Sequence, residues 1–161
     1  MSEAPEQLFL ADDGTIPNNP RLPALVFRGA VPAGDPAAAE ALFARHGWPP
    51  AWRDGIYPYH HYHPDAHEAL AIARGQVRVM LGGEGGQVLE LAAGDVAVLP
   101  AGTGHRNLGA SPDLLVVGAY PEGQSPTEYR GRPGEHARAV PQITQVPDPP
   151  NEPVRGRAWP L

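Results

Sequence analysis

Short apolar runs separated by turn-forming residues recur from residue 67 to residue 120, and this pattern constrains the fold more than any other feature. We predict strands at His67–Ala73, Gln76–Leu81, Val88–Leu91, Val96–Leu99, Gly104–Leu108 and Leu114–Tyr120. Many of the 19 glycines and 21 prolines fall between these runs, where they mark tight turns. Regular short strands joined by turns favour a sandwich or barrel over a parallel sheet.

The composition narrows the class of protein. A length of 161 residues is enough for one domain with a buried core. The net charge of -6 and the absence of lysine argue against a nucleic-acid-binding face. The absence of cysteine excludes a disulfide framework and thiolate zinc sites.

Residues 1–54 are predicted to pack on a central barrel that spans residues 55–120. The first residues, MSEAPEQLFL, have neither a basic region nor a long apolar run, so we expect no signal peptide. No apolar run in the chain is long enough to span a membrane, and we expect a cytoplasmic protein. Two strands, Gln7–Leu10 and Leu22–Phe27, are predicted to close the barrel edge or to reach a partner subunit.

One short helix is predicted between Asp35 and Gly47. Asp35 is a good N-cap, Pro36 suits the first helical position, and Gly47 can end the helix. The apolar stripe of this helix consists of Ala39, Leu42, Phe43 and His46. We therefore interpret His46 as a packing residue and not as a metal ligand.

Prolines are concentrated in residues 121–161, which we predict to be an ordered wrap or a partly mobile tail of the same domain. Within this segment, only Ala139–Val146 has the pattern of a strand. Its arginines are expected on a solvated face, although any of them can pair with a substrate carboxylate. They are Arg130, Arg132, Arg138, Arg155 and Arg157.

A histidine-rich segment, GIYPYHHYHPDAHEALAIARG at residues 55–75, carries the strongest functional signal. If the start of this segment is extended, His61 and His63 share one face with Tyr57 and Tyr59, because side chains alternate along a strand. Two imidazoles on one face, one residue apart, can bind the same ion.

Glu68 follows these histidines at the start of the next predicted strand. Alternation places Glu68 on the same face as Leu70 and Ile72, which is the bulkier apolar face and therefore faces a core. A carboxylate that points into an apolar core is costly unless a cation or hydrogen bonds compensate it. This cost is the physical reason to predict a metal ion there.

Two spaced motifs connect these residues with a later part of the chain. The pattern G-x5-H-x-H-x4-E-x6-G is formed by Gly55, His61, His63, Glu68 and Gly75, and the pattern G-x5-P-x-G-x2-H by Gly94, Pro100, Gly102 and His105. Both resemble the motifs of the cupin superfamily, and the whole chain resembles small single-domain bacterial cupins of the YjlB type. The resemblance implies an all-β, double-stranded β-helix (jelly-roll) barrel. It also implies that one metal ion is bound by His61, His63, Glu68 and His105.

Some assignments remain open at this point. A one-residue bulge would make His67 a ligand in place of Glu68; otherwise His67, like His60, is expected to be an ordinary surface histidine. The cupin pattern has asparagine four residues after the last histidine, where this chain has Gly109. Asn107 shares the face of that histidine, but the family role cannot be transferred to it. Trp48 and Trp52 either seal the core or roof a pocket.

Three imidazoles and one carboxylate suit iron, manganese or nickel better than closed tetrahedral zinc. We expect a metal-dependent oxygenase of the dioxygenase type, in which Tyr57 or Tyr59 positions a small oxygen-chelating substrate or donates a proton. A metal-dependent isomerase or lyase uses the same ligands, and a non-catalytic ligand-binding protein uses the same fold. The resemblance further implies a homodimer, since cupins commonly pair through edge strands.

Overall fold

The computed structural model describes residues 4–160, and its strands form two antiparallel sheets. The strands are β1 (Glu6–Leu8), β2 (Ala24–Phe27), β3 (Pro50–Asp54), β4 (Glu68–Arg74), β5 (Gln76–Leu81), β6 (Gln87–Ala92), β7 (Val96–Leu99), β8 (His105–Ala110) and β9 (Leu115–Ala119). The large sheet has the strand order β1-β2-β7-β4-β9-β3, and the small sheet has the order β6-β5-β8. This architecture confirms the predicted all-β jelly-roll fold.

Eight of the nine predicted strands agree with observed strands to within one or two residues at each end, and β3 was not among the predicted strands. Gln76–Leu81 and Val96–Leu99 are reproduced as β5 and β7. Strand β2 begins at Ala24 and not at Leu22. Pro23 has no N–H to donate to a neighbouring strand, which accounts for the later start.

Helix α1 (Pro36–Arg45) forms where it was predicted. The Asp35 side chain accepts a hydrogen bond from the backbone N–H of Ala38 at 3.0 Å, which caps the first turn. Ala39 and Phe43 bury one side of the helix against the large sheet. His46 donates from Nδ1 to the carbonyl oxygen of Pro153 at 2.7 Å, so it is the packing residue that the sequence predicted.

Strand β4 separates two apolar clusters, one on each of its faces. Leu70 and Ile72 contribute to the cluster between the two sheets, together with side chains of β5, β6 and β7. Ala69, Ala71 and Ala73 belong to the cluster that includes helix α1. Because alternate residues point to opposite faces, Glu68 lies on the same side of β4 as Leu70, as predicted.

The second helix, α2 (Glu135–Gln145), corrects the prediction of a strand at Ala139–Val146. Its buried residues, Glu135, Ala139 and Ile143, are spaced four apart, which is a helical period. Pro141 lies inside the helix and removes one backbone donor, so the local sequence argues against a helix here. Packing of Ala139 and Ile143 on an apolar cluster stabilises the helix despite that loss.

The C-terminal segment is attached to the barrel along much of its length. Tyr129 forms an isolated bridge with Tyr62, and Trp159 is buried and donates from Nε1 to the Pro23 carbonyl oxygen at 3.1 Å. The division of the chain at residues 54 and 120 stays a prediction. Within residues 4–160, neither helix has the length and apolar character needed to cross a membrane.

Candidate metal centre

Two short backbone segments bring the predicted ligands together. His61 forms an isolated antiparallel bridge with His105, which is the first residue of β8. Residues directly opposite each other in an antiparallel pair project their side chains from the same face. The two imidazole rings accordingly lie side by side, with their centroids 4.0 Å apart.

Glu68 reaches the same place from the large sheet. It is the first residue of β4 and pairs with Leu99, the last residue of β7. The turn after β7 leads to His105, and Gly102 in that turn has φ +92°, a conformation that favours glycine. A Cβ at Gly102 would also lie 2.7 Å from the Asn18 carbonyl oxygen, so a side chain does not fit there.

A buried carboxylate and two imidazoles form the centre of the cluster. Oε1 of Glu68 lies 3.0 Å from Nε2 of His105 and 3.5 Å from Nε2 of His63. One donor atom from each of these three residues lies within 4.8 Å of the others. Donor atoms bound at right angles about 2.1 Å from one metal ion are about 3 Å apart. These three side chains therefore fit one divalent ion.

The three histidine rings share one arrangement. In each ring, Nδ1 faces a backbone carbonyl oxygen, which can only accept, so Nδ1 carries the proton and Nε2 keeps its lone pair when the ring is neutral. The pairs are His61 with Tyr59 at 3.0 Å, His63 with Thr127 at 2.8 Å, and His105 with Thr103 at 3.0 Å. Carbonyl partners of this kind orient metal-binding histidines.

Charges in the cluster are strongly coupled. Burial opposes a charge on His63, but the adjacent Glu68 carboxylate outweighs burial and raises the pKa of His63 to about 9. Burial works against the charge on Glu68 as well, and the two histidines beside it hold the pKa of that carboxyl well below its usual range. Burial and the neighbouring His105 lower the pKa of His61 to about 3. The carboxylate is thus held ionised beside cationic or metal-binding groups.

His61 stands slightly apart from the other predicted ligands. It lines the same cavity and is 4% exposed, but its donor atoms fall outside the compact group formed by His63, Glu68 and His105. Its ring centroid is 6.1 Å from that of His63. The structure brings three of the four predicted ligands into one group, and ligation by all four residues stays a prediction.

The competing ligand, His67, lies on the other face of β4. Its Nδ1 accepts from the backbone N–H of Ala101 at 2.9 Å, and its Nε2 donates to the Pro147 carbonyl oxygen at 3.2 Å. Both ring nitrogens are therefore occupied, and Glu68, not His67, faces His63 and His105. His67 is buried, so the expectation of a surface position for it was wrong. His60 is partly exposed and pairs with Glu84 at 2.7 Å.

A cavity of about 310 Å³ opens beside these side chains. It is lined by Trp52, Asp54, Gly55, Ile56, Tyr57, His61, His63, Glu68, Leu70, His105, Tyr120 and Glu128. Trp52 thus lies at a pocket, whereas Trp48 is fully buried in the core beside Trp159. The cavity volume is at the small end for ligand sites, which suits a small organic molecule.

The two predicted catalytic tyrosines stand in different positions. Tyr57 lines the cavity and is 51% exposed, whereas Tyr59 does not line it. The two rings stack with centroids 5.0 Å apart and an interplanar angle of 10°. Tyr59 therefore supports the ring of Tyr57, while its own hydroxyl accepts from Nη2 of Arg130 at 2.9 Å.

Tyr120 is a cavity residue that the sequence patterns did not identify. Its hydroxyl accepts a hydrogen bond from Nε1 of Trp52 at 2.9 Å and interacts with Glu68. Burial and the nearby Glu68 carboxylate raise the pKa of Tyr120, so the hydroxyl keeps its proton. Tyr120 was the last residue of a predicted strand, and alternation along that strand from the buried Val116 could have identified it.

Asn107 holds the cavity wall from outside. Its Nδ2 donates to the Ile56 carbonyl oxygen at 3.2 Å, and its backbone N–H donates to the Tyr57 carbonyl oxygen at 2.9 Å. Asn107 is not among the residues that line the cavity. It fixes the backbone of the wall segment at Ile56 and Tyr57.

Comparisons with known proteins show what this chain is similar to. The family model described as Cupin domain matches residues 53–117. The protein YjlB of Bacillus subtilis (strain 168) is 41% identical over 161 residues, which is 100% of this chain and 96% of YjlB. A DUF861 family protein of Thermotoga maritima has a TM-score of 0.32 and 23% identity, and the alignment covers 44% of this chain and 75% of that protein's chain.

A mutant of oxalate decarboxylase from Bacillus subtilis has a TM-score of 0.36 and 16% identity, and the alignment covers 81% of this chain and 29% of that chain. The relationship to YjlB extends over nearly the full length of both proteins. Together with the matching domain, it shows that this chain belongs to the cupin superfamily, as a small bacterial cupin of the YjlB type.

Proposed function

We propose that this protein is a metal-dependent enzyme of the dioxygenase type that acts on a small organic substrate able to chelate through oxygen. The observation that carries the proposal is the buried carboxylate of Glu68, whose Oε1 faces Nε2 of both His63 and His105. No residue between 4 and 160 makes a well-aligned hydrogen bond to that oxygen. A bound cation would compensate its burial.

The proposed ligands are the four residues of the two motifs, His61, His63, Glu68 and His105. Iron, manganese or nickel is preferred to zinc, because a six-coordinate ion keeps two positions for other molecules. When bound, such an ion supplies Lewis-acid and redox chemistry.

The remaining cavity residues bind and orient the substrate. The exposed face of Tyr57 offers an aromatic surface, and its stack with Tyr59 holds that surface in place. Ile56 and Leu70 make part of the wall apolar and so exclude water from the reacting atoms. The Tyr120 hydroxyl can donate its proton to Glu68 or to a substrate oxygen, because its own acceptor lone pair is used by Trp52.

A metal-dependent isomerase or lyase is a second candidate, and Tyr120 is the observation that favours it. A protonated tyrosine beside a metal-ligand carboxylate can transfer a proton to or from a substrate without any oxidant. Non-catalytic binding of a small ligand in the same cavity is the remaining alternative.

Oxygen consumption by the metal-loaded protein tests the proposal. A screen of small diols, catechols and ketoacids should identify a compound whose turnover consumes dioxygen. Turnover should be abolished in His63→Ala and retained in His136→Ala, whose side chain pairs with Asp12 outside the cavity. Conversion of a compound without oxygen consumption would support the isomerase or lyase. If a compound binds equally well to both variants and neither variant converts it, the non-catalytic alternative is supported.

The proposal includes a homodimer in the cytoplasm. Strand β1 lies at one edge of the large sheet, and within residues 4–160 its outer backbone groups have no partner strand in that sheet. Sedimentation at micromolar concentration should give the mass of two chains, and a monomeric mass would contradict this part of the proposal.

A further inference from the structure

The charged residues that line the cavity are all acidic apart from the histidines. Among residues 4–160, three carboxylates, those of Asp54, Glu68 and Glu128, contribute to the wall, and no arginine does. With the histidines neutral as ligands, a divalent ion and Arg130, which pairs with Glu128 outside the lining, would balance these three charges. The carboxylates of Asp54 and Glu128 nevertheless face the cavity and Arg130 does not line it, so a ligand beyond the metal meets negative groups that disfavour an anion and favour a cation.

The arginines that flank the lining residues in sequence are engaged elsewhere. Arg53 forms two hydrogen bonds to Glu40, at 2.9 and 2.7 Å, on the opposite side of β3 from Asp54. Arg106 donates from Nε to the Pro58 carbonyl oxygen at 2.9 Å. Neither arginine lines the cavity.

Arg130 pairs with the lining residue Glu128 but does not itself line the cavity. It binds one oxygen of Glu128 at 2.9 Å and the Tyr59 hydroxyl at 2.9 Å, and its Cζ lies 4.0 Å from the centroid of the Tyr59 ring. These contacts hold Arg130 outside the lining and leave Glu128 at the wall. The backbone beside Glu128 is also fixed, because Thr127 binds Asp65 through its N–H and its hydroxyl at 2.8 and 2.6 Å.

Aromatic rings complete the surroundings of these acids. Trp52 and Asp54 alternate with Arg53 along β3, so both project to the cavity side of the strand. Tyr57 presents its exposed ring to the same cavity. Carboxylates combined with aromatic faces are the surroundings that bind an ammonium group.

We infer that the cavity selects an amine-bearing ligand, whose oxygen atoms face His63, Glu68 and His105 and whose ammonium group faces Asp54 and Glu128. A ligand that carries a carboxylate in place of the amine is rejected. This inference rests on the proposed function, because it assumes a ligand that chelates the metal through oxygen. It specifies in addition that the part of this ligand distant from the metal carries a positive charge.

Three catechols that differ in the charge of one side chain test the inference. Dopamine carries an amine, 4-ethylcatechol is neutral, and 3,4-dihydroxyphenylacetate carries a carboxylate. Each is titrated anaerobically into metal-loaded protein by isothermal titration calorimetry, so that binding is measured without turnover. We expect dopamine to bind at least about tenfold more tightly than the carboxylate, with 4-ethylcatechol between them.

The charge-neutralising variants Asp54→Asn and Glu128→Gln should each reduce the preference for dopamine over the carboxylate by about threefold, with little change for 4-ethylcatechol. Glu90→Gln, which makes the same charge change on β6 outside the cavity, should leave all three affinities unchanged. Equal affinities, or tighter binding of the carboxylate, would overturn the inference and leave the proposed metal enzyme intact. If none of the three binds to protein that has taken up metal, the oxygen-chelating function and the inference both fail.

Discussion

His61 and His105 exchange two backbone hydrogen bonds, at 3.2 Å from His61 N to His105 O and at 2.9 Å from His105 N to His61 O. These bonds join the two motifs directly, although more than half of the barrel lies between them in sequence. The backbone therefore sets the spacing of the candidate ligands before any metal is bound. Preorganisation of this kind lowers the cost of binding an ion.

We predict that His61 is a ligand although its donor atoms lie outside the compact group. His61→Ala should weaken metal affinity at least tenfold, because one nitrogen donor is lost while three donors remain. Competition with a fluorescent chelator measures this change. His60→Ala is the matched control, since its ring pairs with Glu84 and does not line the cavity. Equal affinities in the two variants would exclude His61 from the site.

Tyr120→Phe should destabilise the protein by about 1–2 kcal/mol, because the indole N–H of Trp52 loses its acceptor in a partly buried place. Urea denaturation measures the loss. A double-mutant cycle with Trp52→Phe isolates the hydrogen bond, and the two changes should be clearly non-additive. Additive effects would show that the two side chains do not interact in solution.

We expect the titration of His67 to lower the free energy of unfolding of the protein in mild acid. Burial, which outweighs the carbonyl contact of Pro147, lowers the pKa of His67 from 6.5 to about 4. The unfolded chain therefore binds a proton that the native state does not, and stability falls as the pH drops from about 6.5 to about 4. This contribution corresponds to at most about 3 kcal/mol.

The variant His67→Asn tests that dependence, because its side-chain oxygen can still accept from the N–H of Ala101. The free energy of unfolding should be lower than in the wild type at pH 7.5, and it should fall less between pH 7.5 and pH 5. An unchanged slope over this range would show that His67 does not titrate in the way its burial requires.

Gly118→Ala should displace Trp52, which lines the cavity. A Cβ at Gly118 would overlap the indole ring of Trp52, so the ring must move and its hydrogen bond to Tyr120 must lengthen. We expect a loss of about 1–3 kcal/mol in thermal or chemical denaturation. Gly109→Ala is the matched control, because a Cβ at Gly109 would have no other atom within 4 Å and its φ is not positive. Similar losses in both variants would contradict the packing role of Gly118.

Much of the fold could be predicted from the sequence because alternation and turn residues act locally. The opposite faces of β4, the capping of α1 by Asp35 and the full span of β5 all follow from local patterns. Helix α2 did not, because the residues that stabilise it are on distant parts of the chain, such as Ile16 and Tyr62.

The site was predictable to a similar extent. The resemblance of the two motifs to those of cupins implied His63, Glu68 and His105, which the structure brings together, and the alternation identified Tyr57 at the wall. The role of Tyr120 depends on a hydrogen bond to Trp52 across two neighbouring strands, and no local pattern encodes that contact. The position of Glu128 likewise depends on how the C-terminal segment packs on the barrel.

Metal content of the untagged protein tests the central claim most directly. After anaerobic reconstitution with iron, manganese or nickel and removal of excess metal, mass spectrometry should find close to one ion per chain in the wild type. Glu68→Gln, which keeps the shape of the side chain and removes its charge, should retain far less. Absence of bound metal in the wild type, or equal amounts in both proteins, would contradict a metal centre built on Glu68.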